Sequence, residues 1–101
     1  MLEAGIKGTL TRMVTEELTA KAMGSGELPV FATPAMVALM EKTAWESVAP
    51  YLQPGQGSVG TLMSVKHLAA TPLGVEVTSE TELTEVDRRR LVFTVRAYDA
   101  S

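Results

Sequence analysis

Three side chains in this sequence could together carry out acyl-transfer chemistry: Thr33, Glu41 and His67. They supply a hydroxyl, a carboxylate and an imidazole, the groups that activate a nucleophile and move its proton. His67 is the sole histidine, and the sequence contains no cysteine. A carboxylate or an imidazole in a protein core is costly unless it is paired or functional. These three residues are therefore the candidate site.

Each of the three residues also has a structural interpretation. Thr33 followed by Pro34 is typical of a helix N-cap, Glu41 could be a paired structural carboxylate, and His67 could be a hydrogen-bonded core histidine. Thr33 and Glu41 are about 12 Å apart along a helix axis, so a ligand or the His67 ring would have to bridge them. Their joint placement at one helix–sheet interface favours the functional interpretation.

The elements that position these residues follow from the hydrophobic pattern. Thr15 is expected to cap a short helix that ends at Gly24, and the main helix is predicted from Thr33 to just before Pro50. A hairpin turn is predicted from Asp87 to Arg90. Period-two alternation predicts four strands, at residues 6–14, 58–69, 75–81 and 91–98.

The predicted elements indicate an α+β fold in a single domain over residues 1–101. The main helix is apolar nearly all round, which is typical of a helix wrapped by a curved antiparallel sheet. In the predicted strand 58–69, His67 shares a face with Met63 and Val65. Because the sequence stops straight after the fourth strand, we expect a C-terminal strand to be missing.

Composition excludes several classes of function. The net charge of −3 argues against nucleic acid as a partner, and the Arg88–Arg90 run is expected to be a solvated turn. One histidine and no cysteine leave only scattered carboxylates, so we expect no metal and no disulfide. No segment approaches the length of a signal peptide or a membrane span, which predicts a cytoplasmic protein without a membrane partner.

Four stretches of this sequence carry a resemblance to a known family: Phe31–Glu41, Ala49–Leu52, Gly57–Thr61 and Val65–Pro72. In this order they resemble the hotdog-fold acyl-CoA thioesterases related to fluoroacetyl-CoA thioesterase. The resemblance implies the hotdog fold, hydrolysis of a short acyl-CoA without a cofactor, and a homodimer with its sites at the subunit interface. It also implies that Thr33, Glu41 and His67 are the catalytic set.

The resemblance suggests a role for each residue. His67 would act as general base or hold the attacking water, while Glu41 would activate a nucleophile or form a transient anhydride. Thr33 would orient the acyl group or the carboxylate. Gly60 is expected to offer its N–H to the thioester oxygen, and Phe31 is the second residue assigned to substrate binding.

One departure from the family bears on specificity. The fluoroacetyl-specific enzyme has phenylalanines in the lid before the catalytic threonine, whereas residues 23–28 here contain no aromatic residue. A generic small acyl thioester is therefore the expected substrate. Two alternatives are a non-catalytic acyl-CoA or small-ligand binding module and a hotdog dehydratase. The presence of all three polar residues disfavours the binding module, and Thr33 together with the helical position of Glu41 disfavours the dehydratase.

Overall fold

A three-stranded antiparallel sheet carries one long helix on its inner face. The structure, a computed structural model, describes residues 2–99. The sheet order is β1-β2-β3. The elements are β1 (Lys7–Met13), a 3-10 turn (Glu16–Leu18), α1 (Ala20–Met23), α2 (Thr33–Val48), a second 3-10 turn (Ala49–Tyr51), β2 (Glu76–Asp87) and β3 (Arg90–Asp99). The predicted α+β class is confirmed.

The β2–β3 hairpin closes where the sequence predicts it. Asp87 pairs with Arg90 across a two-residue turn, and Arg88 takes the left-handed conformation with φ 58°. An Arg90 guanidinium nitrogen lies 3.2 Å from a Glu85 carboxylate oxygen at the exposed end of the hairpin. The arginine run is therefore a solvated turn, as expected.

The core lies between α2 and the inner face of the sheet. The inward side chains of β2 are alternately buried from Val77 to Leu83, as the period of a strand requires. On the far side of α2, the Trp45 side chain is 48% exposed, because the three strands cover one face of the helix. The buried apolar cluster consists of Val14, Phe31, Ala32, Ala35, Met36, Leu39, Met40 and Val77.

The predicted strand at residues 58–69 is wrong. Residues 57–69, called the connecting segment below, belong to no strand in the described part of the chain. The predicted alternation is present only from Leu62 to Leu68: Met63, Val65 and His67 are half-buried, whereas Leu62 and Leu68 are each 87% exposed. Val59, which the alternation places on the same face as Met63, is exposed. The segment has the side-chain periodicity of a strand without a neighbouring strand to pair with.

The helix starts also differ from the prediction. Ala32 is the N-cap of α2, and Thr33 is its first helical residue, so the threonine hydroxyl does not cap the helix. The predicted short helix is divided into a 3-10 turn and α1, whose cap is Thr19; the Thr19 hydroxyl accepts from the Ala22 amide at 3.2 Å. The predicted end at Gly24, in left-handed conformation, is confirmed.

Candidate functional site

The first contact of the site joins the start of α2 to the connecting segment. Thr33 Oγ1 lies 2.7 Å from His67 Nδ1. Since Thr33 is not the helix cap, its hydroxyl is available to the imidazole. The hydroxyl can donate to an unprotonated Nδ1 or accept from a protonated one, and the state of Nε2 follows from that choice. Nε2 is the nitrogen that can act as a base when the hydroxyl accepts from Nδ1–H.

The second contact joins the middle of α2 to an earlier point of the same segment. The half-buried Glu41 carboxylate packs against Gly60 so closely that a Cβ added there would collide with Glu41 Oε2. The sequence suggested a close approach to the Gly60 backbone, and in the structure the approaching group is this carboxylate. The missing side chain at Gly60 is what leaves room for it.

The three predicted catalytic residues thus form two pairs, Thr33 with His67 and Glu41 with Gly60. The pairs lie at different points along the connecting segment, and Thr33 and Glu41 are separated by about 12 Å of helix. Within residues 2–99, no hydrogen bond joins Glu41 to His67. One chain therefore brings the hydroxyl to the imidazole but does not bring the carboxylate to either.

A cleft of about 430 Å³ lies beside His67. One wall is the connecting segment from Ser64 to Ala69, and the other is β3 from Val95 to Asp99. Phe31, predicted to contact substrate, is 3% exposed and contributes to the lining from the core side. Glu41 does not line this cleft.

Sequence reasoning missed a hydrogen bond close to this site. Thr71 Oγ1 donates to Asp99 Oδ2 at 2.7 Å, and Thr71 is 7% exposed. The two residues are 28 positions apart in the sequence, and no local pattern connects them. The only available signal was the placement of Thr71 four residues after His67.

A second unpredicted cluster lies on the outer face of the sheet. Glu80 accepts hydrogen bonds from Arg96 Nε at 2.7 Å and from the Tyr98 hydroxyl at 2.9 Å. The bond from Arg96 is the main reason that the pKa of Glu80 lies below its usual value. These exposed side chains are cross-strand neighbours that stabilise the sheet, and none of the predicted site residues lies among them.

The described residues contain no group of three or more histidine and acidic side chains that could hold a metal ion. No helix in residues 2–99 is long and apolar enough to cross a membrane. The geometry brings an imidazole into contact with a hydroxyl, an arrangement that can support acid–base chemistry. The half-buried Glu41 carboxylate lies two turns further along the helix that carries the hydroxyl.

Comparison with known proteins identifies the relatives of this chain. A family model described as "FlK: Fluoroacetyl-CoA-specific thioesterase" matches residues 14–101. The fluoroacetyl-CoA thioesterase of Streptantibioticus cattleyicolor is 53% identical over 70 residues, which cover 69% of this chain and 50% of that protein. The chain therefore matches half the length of this curated relative.

Solved structures give the same result for the fold. The fluoroacetyl-CoA thioesterase FlK superimposes with a TM-score of 0.91 at 40% identity, covering 99% of this chain and 78% of FlK. A variant of FlK in complex with fluoroacetate and CoA gives 0.91 at 39% identity, covering 97% and 83%. A hot-dog-like protein from Thermanaerovibrio acidaminovorans gives 0.87 at 27% identity, covering 98% and 73%. The hotdog fold expected from the sequence is confirmed.

Proposed function

The chain belongs to the fluoroacetyl-CoA-specific thioesterase family, and from this membership we propose that it hydrolyses a small acyl-CoA thioester to the free acid and CoA. The observation that carries the proposal is the 2.7 Å contact between the Thr33 hydroxyl and His67 Nδ1. An imidazole held in one orientation by a hydroxyl is suited to general-base chemistry. A purely ligand-binding module would have no need of it.

His67 is the proposed general base. When Thr33 accepts from Nδ1–H, the Nε2 lone pair is free to take a proton from water. That water attacks the thioester carbonyl, and the tetrahedral intermediate then expels the CoA thiolate. The proton on Nε2 passes to the thiolate, so the imidazole returns to its starting state. In this scheme Thr33 fixes the tautomer.

Glu41 and Gly60 act at the other end of the connecting segment. The Glu41 carboxylate either activates the attacking water or attacks the thioester carbonyl itself. In the second case it expels the CoA thiolate to form a transient anhydride, which water then hydrolyses to the free acid and the carboxylate. Gly60 is proposed to offer its N–H to the thioester oxygen, where negative charge develops. The contact between Glu41 and the Gly60 backbone supports a shared position for the two groups.

The acyl group is proposed to be small and not restricted to fluoroacetyl. Residues 23–28 supply no aromatic side chain, and Phe31, the first one to follow, is buried in the core. The proposal further includes a single catalytic domain that uses no cofactor and works in the cytoplasm.

The protein is proposed to be a homodimer that pairs through the connecting segment. This segment has no strand partner among residues 2–99, and its apolar side chains Val59, Leu62 and Leu68 are 86–87% exposed. Such a surface is typical of an interface. Antiparallel pairing of two copies about a two-fold axis would place the Gly60 end of one beside the His67 end of the other. The partner's carboxylate would then complete the site.

The test is release of free thiol from acetyl-, propionyl-, butyryl- and fluoroacetyl-CoA. We expect turnover by the unmodified chain, and a loss of about 100-fold or more in Glu41→Gln and in His67→Ala. Glu46→Gln is the matched control, because Glu46 forms an exposed ion pair with Lys42 on the same helix. Binding of a thioester without hydrolysis would instead establish the binding-module alternative.

A further inference from the structure

Two short stretches of chain meet around the candidate site and are joined at two points. At one point the Thr33 hydroxyl contacts His67 Nδ1 at 2.7 Å. At the other, the Phe31 amide donates to the Thr71 carbonyl oxygen at 2.8 Å. Thr33 lies two residues after Phe31, and Thr71 lies four residues after His67. Together the two contacts close a small ring, which is formed by residues 31–33, residues 67–71 and the His67 imidazole.

Thr71 fastens this ring to the sheet. Its hydroxyl donates to Asp99 Oδ2 at 2.7 Å, and Asp99 is paired with Val77 at the end of the β2–β3 ladder. Thr71 is 7% exposed, and a hydrogen bond to a carboxylate is stronger and shorter than one between neutral groups. The ring is thus tied to the end of the β2–β3 ladder.

His67 has few other restraints on its position. It lies in the connecting segment, which has no strand partner in the described part of the chain. Met63 and Val65, which pack against the core, hold the segment on the N-terminal side of His67. On the C-terminal side, the position of the ring depends on the backbone that leads to Thr71. Without the bond to Asp99, Thr71 is held by the hydrogen bond from the Phe31 amide and by the neighbouring Val30–Pro72 bridge. We therefore expect the distance from Thr33 Oγ1 to His67 Nδ1 to vary more widely.

We propose that Thr71 and Asp99 are positioning residues, which act on His67 by anchoring the ring that presents its imidazole to Thr33. The inference builds on the proposed thioesterase function, since it adds a supporting pair to the same site. It assigns no contact with substrate to either residue. The proposal means that the tautomer of His67 depends on the hydrogen bond between Thr71 and Asp99, four residues further along the chain.

The sole histidine makes this dependence measurable without any substrate. Long-range ¹H–¹⁵N spectra of ¹⁵N-labelled protein report the tautomer of one imidazole, with no other histidine signal to separate. We expect the Nδ1–H tautomer, in which Thr33 accepts, to dominate in the unmodified chain and in Thr71→Ser, which retains the hydroxyl. In Thr71→Val, which removes the hydroxyl at nearly constant shape, we expect the averaged tautomer of a free imidazole.

Activity gives the second measurement. We expect Thr71→Val to lower kcat by about 10- to 100-fold with little change in KM, because a misplaced catalytic group costs rate more than binding. Thr71→Ser should recover most of that loss. Thr94→Val, at an exposed threonine of β3, is the matched control and should leave both the spectrum and kcat unchanged.

The outcomes separate the inference from the proposed function. If Thr71→Val lowers thermal stability but keeps the imidazole spectrum of the unmodified chain, Thr71 is only structural and the inference is wrong. If Thr71→Val does not fold, Asp99→Ala gives the corresponding comparison, since it removes the oxygen that accepts the hydrogen bond from the Thr71 hydroxyl. If no thioester is hydrolysed by any variant, the spectra still decide whether Thr71 positions His67.

Discussion

Gly60 is the residue at which one added methyl group would disturb the candidate site most directly. Its Cβ would occupy the position of Glu41 Oε2, so Gly60→Ala must displace the carboxylate. A shift of about 1 Å in a catalytic group can cost 100-fold in rate, and we expect kcat/KM to fall by about that factor. Since Gly60 itself is exposed, thermal stability should change little.

The matched control for this prediction is Gly57→Ala. An added Cβ at Gly57 meets no atom within 4 Å, and the residue lies three positions before Gly60 in the same segment. Both substitutions stiffen the backbone equally, but only the one at Gly60 reaches Glu41. Equal losses of activity in the two variants would show that flexibility of the segment, rather than the position of the carboxylate, limits the rate.

Glu80 allows a prediction about pH. Its pKa is lowered in the folded protein, mainly by the hydrogen bond from Arg96 and then by that from Tyr98. A lowered carboxyl pKa stabilises the fold above the ordinary value of 4.5, and that stabilisation is lost as the pH falls through the lowered value. We expect Glu80→Gln to melt below the unmodified chain at pH 7 and to approach it near pH 3. Parallel melting curves at every pH would contradict this.

The types of the site residues could be predicted from sequence, but their pairing could not. A lone imidazole and a carboxylate on an apolar helix are recognisable locally. The contact made by the Thr33 hydroxyl cannot be recognised locally, because its partner His67 lies 34 residues away. The local signal favoured a capping role for Thr33, and a cap contributes only about 1 kcal/mol. In the structure the hydroxyl contacts His67 instead, and Ala32 is the N-cap.

The packing of α2 onto β1 depends on Gly8. A Cβ at this position would lie 2.7 Å from Ser47 Cβ and 2.9 Å from the Thr43 carbonyl oxygen. The helix therefore approaches the strand as closely as a glycine permits. We expect Gly8→Ala to destabilise the protein by about 1–3 kcal/mol, measured by chemical denaturation. Gly57→Ala again serves as control. An unchanged denaturation midpoint for Gly8→Ala would mean that α2 can move away from β1 without loss of stability.

Elements with local signals were predicted best. The β2–β3 hairpin depends on a tight turn and adjacent strands, and its position at Asp87–Arg90 is confirmed. The predicted strand at 58–69 failed because alternation reports which side chains are buried and does not report whether the backbone has a partner. Burial of Met63, Val65 and His67 against α2 gives the same pattern in an unpaired segment.

The dimer proposal makes a prediction about the whole molecule. If Glu41 of one protomer serves the His67 of its partner, then the two inactive variants Glu41→Gln and His67→Ala should complement each other when mixed. Random exchange places both variants together in half of the dimers, each with one intact site of two, so roughly one quarter of the normal activity should return. Thiol release from an equimolar mixture, after a cycle of dissociation and reassociation, measures this.

A second set of variants tests whether the connecting segment forms the dimer interface. Leu62→Asp combined with Leu68→Asp places charge on the exposed side of the connecting segment, whereas Leu73→Asp alters an exposed leucine outside it. Sedimentation should show a monomer only for the double variant. A mixture that remains inactive while both variants are dimeric would place all three catalytic groups of one site in a single chain.

The pairing of β1 with β2 has a consequence for the order of folding. It joins Lys7 to Glu82 and Met13 to Glu76, so the chain between the two strands forms one closed loop. The candidate catalytic residues Thr33, Glu41 and His67 lie inside this loop, whereas Asp99 lies beyond it, at the end of β3. The hairpin can form early because its contacts are local, but closing so long a loop is slow. Catalytic competence should therefore be the last property that the folding chain acquires, and it should depend on a first strand that touches none of the reacting groups.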